Sequence, residues 1–598
     1  MQINFIKLTT LSLLFFIVLS YNPKSSDYEP LTKESNDEIE AIFNQFILKA
    51  ESASMDNIYN DDFNTSTSCK VCRGVVDALR GLVLEKYGVQ GFYKVMTMLC
   101  SQFMDEDVCA GAIGHYGDIV LDSLIRRGLD SERVCHAIKM CSESIPFIHI
   151  DDYAKRVLAD KPEIAKENID VKSLTSPELK AIQVTDLHLD LEYKEGTVVD
   201  CGRPLCCHDL PTNVTNTTRL AGLYGSIGSC DANVEIVKAF AEKAKELEPD
   251  MILFTGDNIA HSVWKVTQQE VIEATKVAID AIVKEVGPNV PIYPAIGNHE
   301  KAPVDEFYGE EKELLNGLAE IFKPYLTEEA YDTFSKYGYY TMLYKDTNIR
   351  IVSLNCILCD SFNWNLIFDA SQAKKMYDWF EGVLRQAEMN NEIVYLLDHI
   401  SLGNSQHTVQ CGLRLKVLID RFEHIIKGHI SGHSHNEQIR IVRSYDNTRT
   451  TNINHIASGL TTYTEYNPSF RMYLIDSETG IMKDFIQYRF DLEEANKKRE
   501  PIWYESYKAT TFFNVTSMND YQGLSNITIE GDYIVKKYTD TEKGKQVAYN
   551  AGEIKSSTCD YKYDLLSDQM KCKNIKMGFS GDYMHYVLNL LMGEWRED

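Results

Sequence analysis

Positive charge is in short supply. The 598-residue chain carries 61 Lys and Arg against 88 Asp and Glu, a net charge of -27. This excludes nucleic acid as a partner, because binding a polyphosphate depends on clustered Lys and Arg. Long apolar runs are missing too. Beyond residue 20 no segment reaches the roughly 20 apolar residues that a membrane span requires. The composition is not that of a disordered chain either, since 44% hydrophobic residues is normal for a globular protein. At 598 residues the chain is too long for one ordinary core, so two or more domains are expected.

The one apolar run lies at the start. Lys7 precedes the charge-free stretch Leu8 to Leu19, and Val18 and Ser20 are small enough for a cleavage site. Residues 1–20 therefore read as a signal peptide, and a secreted or lumenal, soluble protein is expected. Five Asn-x-Ser/Thr sequons, at Asn64, Asn213, Asn216, Asn514 and Asn526, become candidate glycosylation sites in that compartment. The 15 cysteines cluster as a disulfide framework would.

Six of them, Cys69, Cys72, Cys100, Cys109, Cys135 and Cys141, alternate with helix-like patterns such as "VVDALRGLVLEKYG" and "AIGHYGDIVLDSLIRRG". Cys-x-x-Cys alone suits zinc or a redox pair, but no βαβ pattern surrounds it and the expected compartment is oxidising. The spacing resembles a saposin-type domain, here over residues 65–146. That resemblance implies the pairs Cys69–Cys141, Cys72–Cys135 and Cys100–Cys109, and a module that engages membrane lipid. From Cys69 to Cys141 there are nine basic and nine acidic residues, so an anionic bilayer would not repel this part. His115 and His136 are expected to charge in acid and favour contact further. Pro146, Pro162 and Pro177 punctuate the next stretch, and 147–178 reads as a linker.

From about residue 180, apolar runs ("KAIQVTD", "MILFTGD", "VPIYPAIGN", "IRIVSLN", "EIVYLLDH", "HIIKGHISGH") alternate with helical ones ("NVEIVKAFAEKAKEL", "EVIEATKVAIDAIVKEV"). This is an α/β pattern, in which polar residues at C-terminal strand ends mark a site. Those residues are Asp186 and His188 in "DLH", Asp257 in "GDN", Asn298 and His299 in "GNHE", His399 in "DHI", and His433 and His435 in "GHSH". Asp186/His188 and His433/His435 are i, i+2 pairs, which face the same way in an extended segment.

In this order the five blocks resemble the calcineurin-like metallophosphoesterases, here over 179–490, with a helical C-terminal domain over 491–598. The resemblance implies two metal ions: Asp186, His188 and His435 on the first, Asn298, His399 and His433 on the second, and Asp257 between them. Mixed His and carboxylate ligands suit zinc. Purple acid phosphatases in this superfamily place a Tyr three residues after the bridging Asp to hold ferric iron. Ala260 stands there, which favours two zinc ions. His429 lies outside the superfamily block and reads as a histidine that stands behind the ligands or as a buried structural one, and His424 is similar.

A saposin module ahead of such a domain resembles the acid sphingomyelinase family. The match extends to "CGRPLCCHD", "FTGDNIAHSVW" and "SGLTTYTEYNP" and covers roughly residues 65 to 595. It implies the disulfides Cys201–Cys206, Cys207–Cys230, Cys359–Cys411 and Cys559–Cys572, a catalytic role for His261, and a headgroup-lining role for Tyr463. It further implies a secreted or lysosomal monomer that hydrolyses sphingomyelin to ceramide and phosphocholine with metal-activated water. His299 and His261 are the candidates for protonating the alkoxide leaving group. The alternative is a phosphodiesterase of the same superfamily acting on nucleotides or another sphingophospholipid headgroup.

Three details depart from the pattern or stand outside it. Cys356 is left unpaired and reads as buried. Asp398 stands before His399 where the family has glycine, adding a carboxylate that could tighten zinc or orient His399. Asp360 is out of register with the family's acidic residue after the cysteine matched by Cys359.

Overall fold

The computed structural model describes residues 73, 93–94, 96–98, 100–101, 104–121, 150–163, 174–527 except 216, 310, 368, 464 and 465, and 551–574. The segment read as a signal peptide, the pairs Cys69–Cys141 and Cys72–Cys135, His136, and the sequons at Asn64 and Asn216 lie outside the described residues. No helix among those described is long and apolar enough to cross a membrane.

Helix α1 (Glu106–Leu121) carries Cys109, bonded to Cys100. Its buried residues Val108, Ala112 and Tyr116, and beside them Cys109 and Ile113, follow the i, i+4 spacing of one helical face. Val108 and Ala112 pack with Leu205, Ala260 and Trp264. The approach is close at Gly111, where a Cβ would stand 2.5 Å from the Trp264 carbonyl oxygen. Arg203 Nη2 adds an ion pair to Asp105 Oδ1 at 2.8 Å. His115 is half-buried, and burial lowers its pKa against the opposing charge of Glu270. Its protonation therefore lies further into acid than the sequence suggested.

The stretch read as a linker contains helix α2 (Asp151–Leu158), which buries Tyr153, Ala154 and Val157. Arg156 makes a paired contact to Glu381, with both N–H···O distances 3.0 Å.

Two six-stranded mixed sheets follow. The first has the order β12-β11-β10-β1-β2-β3, from β1 (Glu178–Val184), β2 (Met251–Phe254), β3 (Ile292–Pro294), β10 (Ser469–Asp476), β11 (Met482–Phe490) and β12 (Trp503–Lys508). The second has the order β4-β5-β6-β7-β9-β8, from β4 (Tyr340–Leu343), β5 (Ile349–Ser353), β6 (Ile393–Leu397), β7 (Ile426–Ser431), β8 (Gln438–Arg443) and β9 (Thr450–Ile456). β1, β2 and β3 are parallel, as are β5, β6, β7 and β9, so their C-terminal ends lie together. Ala181, Leu253, Tyr293, Ile351, Tyr395, Ile430, Ile453, Tyr473 and Phe485 form a core between the sheets.

A second, larger core lies under the helices. α3 (Val234–Leu247) is capped by Asn233, and α4 (Gln268–Val286) by a capping box of Thr267 and Glu270. α5 (Ser371–Met389) and α6 (Val409–Arg421) follow β5 and β6 in the same way, with Cys359–Cys411 holding α6 to the turn after β5.

Beyond residue 490 the chain is not wholly helical, because β12 extends the first sheet by pairing with β11. Two short helices, Ala509–Phe513 and Tyr521–Ile527, come next, and further on α7 (Ala551–Lys562) and α8 (Leu566–Lys573) are joined by Cys559–Cys572. A buried Lys416–Asp564 ion pair of 3.0 Å fastens them to the sandwich.

His407, between β6 and α6, is fully buried, and burial pushes its pKa down to about 4, with Asp398 opposing. Unfolding exposes a ring with an ordinary pKa of about 6.5. The unfolded chain then binds more protons between these values, so the stability His407 contributes is present above pH 6.5 and lost as pH falls towards 4. For His407→Gln we expect a shallower acid loss than in the parent, by about 2.5 kcal/mol at pH 4.5. Urea midpoints of metal-free protein at pH 7.5 and 4.5 test this, and equal slopes would refute it.

Candidate metal centre

The polar residues of the strand ends converge through an unusual backbone. Asp186 and His188 after β1 have φ of 48° and 43°, Asp257 after β2 has 61°, and His433 and His435 after β7 have 73° and 53°. Non-glycine residues rarely occupy this left-handed region, and clusters of them mark functional sites. The i, i+2 pairs therefore meet because each member turns the chain, not because an extended strand aligns them.

Glycines of the same blocks permit close packing. A Cβ on Gly297 would stand 2.2 Å from Asp257 Oδ1, and one on Gly432 would stand 2.1 Å from Thr185 Oγ1. Glu300 closes the first sheet's side of the centre. Its carboxylate accepts from the amides of Gly297 at 2.6 Å, Asp257 at 2.8 Å and Asn258 at 2.6 Å.

All seven residues expected to be ligands come together. Asp257 Oδ2 lies 3.5 Å from His188 Nε2 and 2.9 Å from His399 Nε2. Asp186 Oδ1 lies 3.6 Å from His435 Nε2 and 3.7 Å from His399 Nε2. His433 Nδ1 and Asn298 Oδ1 are 3.0 Å apart. His188 Nδ1 bonds the Ile259 carbonyl at 2.9 Å and His399 Nδ1 that of Thr255 at 2.6 Å. These bonds leave each Nε2 to face the centre, an orientation typical of metal-ligating histidines. Asn298 Nδ2 donates to Asp305 Oδ1 at 2.9 Å, which presents its carbonyl oxygen inward.

The donor set fits divalent cations. Asp186 Oδ1 and His399 Nε2 are buried without a hydrogen-bond partner. Burial pushes the Asp186 carboxyl up to about 7, with the charge of Asp257 adding and that of His399 opposing. Such a group is costly unless positive charge accompanies it.

Comparison with known proteins agrees. The calcineurin-like phosphoesterase family model matches residues 179–437. Sphingomyelin phosphodiesterase B of Dictyostelium discoideum is 27% identical over 471 residues, 76% of this chain and 72% of that protein. Sphingomyelin phosphodiesterase 1 of Caenorhabditis elegans is 26% identical over 563 residues, 90% of this chain and 95% of that one. The chain is thus similar to sphingomyelin phosphodiesterases over three quarters or more of its length. Human cyclic GMP-AMP phosphodiesterase SMPDL3A is also similar, 26% identical over 351 residues, 56% of this chain and 75% of that one.

His261 lies beside the ligand cluster. Its ring stacks between His188, with centroids 3.9 Å apart, and Tyr463, at 4.0 Å. His261 Nδ1 is 2.9 Å from Asp231 Oδ1, and Asp231 Oδ2 accepts from the His261 amide at 2.7 Å. Thr461 Oγ1 donates to the same carboxylate at 2.9 Å. Asp231 was not singled out from the sequence; its one signal is that it follows Cys230, which the Cys207 disulfide pins. Glu300, the fourth residue of "GNHE", has no signal beyond its place in that block. Tyr463, expected to line a headgroup pocket, stacks on His261 while its hydroxyl bonds the Pro204 carbonyl at 3.1 Å. His299 packs edge-on to His188 and His261, with centroids 4.7 and 4.8 Å away.

Asp398 does not orient His399. Its carboxylate faces His429 and Ser431 on β7. His429 is buried against it, away from the ligands. Asp360 is buried near Asp305 and Glu306, and burial with those charges holds its carboxyl well above the usual range. Cys356 is buried and unpaired, and burial pushes its thiol pKa up.

Glu300→Ala would strand three buried amide donors, at about 1–3 kcal/mol each. We expect lowered thermal stability and loss of bound metal together, read by melting curves and by metal analysis after dialysis. Full metal content in the variant would contradict the role given to Glu300.

Proposed function

We propose that this enzyme is a secreted or lysosomal, zinc-dependent phosphodiesterase that hydrolyses sphingomyelin to ceramide and phosphocholine. One observation carries the reading: Asp186, His188, Asp257, Asn298, His399, His433 and His435 meet at common strand ends beside the Asp231–His261 pair. In this reading Asp186, His188 and His435 hold one zinc ion, Asn298, His399 and His433 a second, and Asp257 both. The N/O donor set suits zinc, and Ala260 supplies no phenolate for ferric iron. When bound, the ions polarise the phosphoryl group and lower the pKa of water that attacks it.

The side chains do the rest. His261 protonates the ceramide alkoxide from Nε2, because Nδ1 is committed to Asp231. Burial lowers the His299 pKa to about 3. It is therefore neutral through the weakly acid range and serves as a hydrogen-bond partner of a phosphoryl oxygen instead of the acid. Tyr463 keeps the His261 ring in plane.

Residues 65–146 would form a saposin-type module, with Cys69–Cys141 and Cys72–Cys135 completing its staples, and would bring a monomeric enzyme to sphingomyelin in a membrane. Glycans would sit on Asn213, Asn514 and Asn526, which are described here, and on Asn64 and Asn216. The alternative is a phosphodiesterase of soluble nucleotides, as the human relative's name indicates for that protein. Its similarity covers 56% of this chain. The nematode alignment covers 90%, which leaves out fewer residues than separate Cys69 from Cys141.

Purified enzyme is expected to release phosphocholine from sphingomyelin liposomes at acidic pH, to stop with chelator and to resume with zinc. His261→Asn should lower kcat by about 10²–10⁴-fold with metal content unchanged. Turnover of a soluble nucleotide diester but not of liposomes would replace this reading with the alternative.

A further inference from the structure

Asp398 immediately precedes His399, yet the two side chains leave the end of β6 in opposite directions. His399 reaches Asp257. Asp398, only 3% exposed, spends both oxygens on the neighbouring strand. Oδ2 is 2.8 Å from His429 Nε2, and Oδ1 accepts from Ser431 Oγ. Asn454 on β9 carries the network one strand further, donating to Ser431 Oγ at 2.8 Å and to the His429 carbonyl at 3.3 Å. Main-chain bonds run beside it, from Asp398 N to Ile430 O at 3.2 Å and from Gly432 N to His399 O at 3.0 Å.

The carboxylate thus ties β6, β7 and β9 together at one level. At that level β6 delivers His399, and β7 turns through Gly432 into His433, with the two rings 5.3 Å apart. Of the three residues assigned to the other ion alone, His435 follows β7 two residues after His433, but two stand differently. Asp186 and His188 follow β1 in the other sheet, and their amides bond the Gly256 and Asp257 carbonyls, both at 2.9 Å. The His399 ring itself is aimed by Thr255, so Asp398 acts on strand position and not on the ring.

We propose that Asp398, through His429 and Ser431, is a positioning residue that sets the spacing of His399 and His433 and so selectively secures the second ion. The proposal rests on the two-ion reading above. Buried hydrogen bonds between strands hold them in register even though His429 Nδ1 and Asn454 Oδ1 have no hydrogen-bond partner among the described residues, and residues behind metal ligands typically change metal affinity 10–100-fold.

The test is metal content per chain of the full-length protein after dialysis against graded chelator, with the melting temperature of the metal-free form alongside. Asp398→Gly should hold one zinc as tightly as the parent and the other at least about 10-fold more weakly. Asp398→Asn keeps one acceptor and should show a smaller loss of the same ion. Unchanged retention of both ions in Asp398→Gly overturns the proposal. So does equal weakening of both with a fall in the metal-free melting temperature. If Asp398→Gly does not fold, Asp398→Asn decides on the same criteria. A parent protein that holds only one ion overturns the two-ion reading, and this proposal with it.

Discussion

Two carboxylates withdrawn from water dominate this structure. Asp186 and Asp257 are essentially unexposed and stand among the imidazoles of His188, His399, His433 and His435. Isolated charges in such a place are prohibitively costly, and divalent cations are the natural compensation. The surrounding architecture follows from meeting that constraint: two sheets whose parallel strands end at one level, loops bent through left-handed conformations, and glycines where the loops touch. Five non-glycine residues with positive φ represent roughly 1–3 kcal/mol of strain apiece, sustained by the cores on either side of the sheets.

Beyond the ligands, a layer of acceptors decides which atom of each ring faces inward. Backbone carbonyls of Ile259 and Thr255 take one nitrogen of His188 and His399, and Asp231 takes one of His261. The three rings are thereby set to different tasks by what lies behind them. Glu300 and Asp398 work one step further out, through amides and neighbouring strands, and touch no ligand ring. Glu300 holds loops of the first sheet and Asp398 strands of the second, so each half of the centre has its own brace.

Helix α1 bears on the same region from outside. Its Val108 and Ala112 pack with Ala260, the neighbour of His261, and with Leu205, the neighbour of the Pro204 carbonyl that holds Tyr463. The Cys201–Cys206 and Cys207–Cys230 disulfides stiffen the loop between them. The N-terminal helix and the His261 stack are therefore parts of one packed unit.

Much of this was legible in the chain. Short apolar runs ending in Asp, Asn or His mark the strand ends, because a buried strand tolerates polar residues only where it leaves the sheet. Cys100, Cys201, Cys207, Cys359 and Cys559 have the partners that family resemblance implied. Other features were not legible. Helix α2 within an apparent linker and β12 beyond the apparent domain boundary depend on surfaces that distant residues supply. Asp231 acts on a group 30 residues away, and two of the three amides that Glu300 holds are 42 and 43 residues away, so no local spacing announces those contacts. Of the two roles the sequence suggests for Asp398, tightening zinc or orienting His399, the second fails because its carboxylate faces His429 and Ser431 on β7. Residue type and order therefore determined which chemistry this chain carries. Tertiary structure alone decided which carboxylate stands behind which ring, because side-chain direction depends on backbone turns and on strands far apart in the chain.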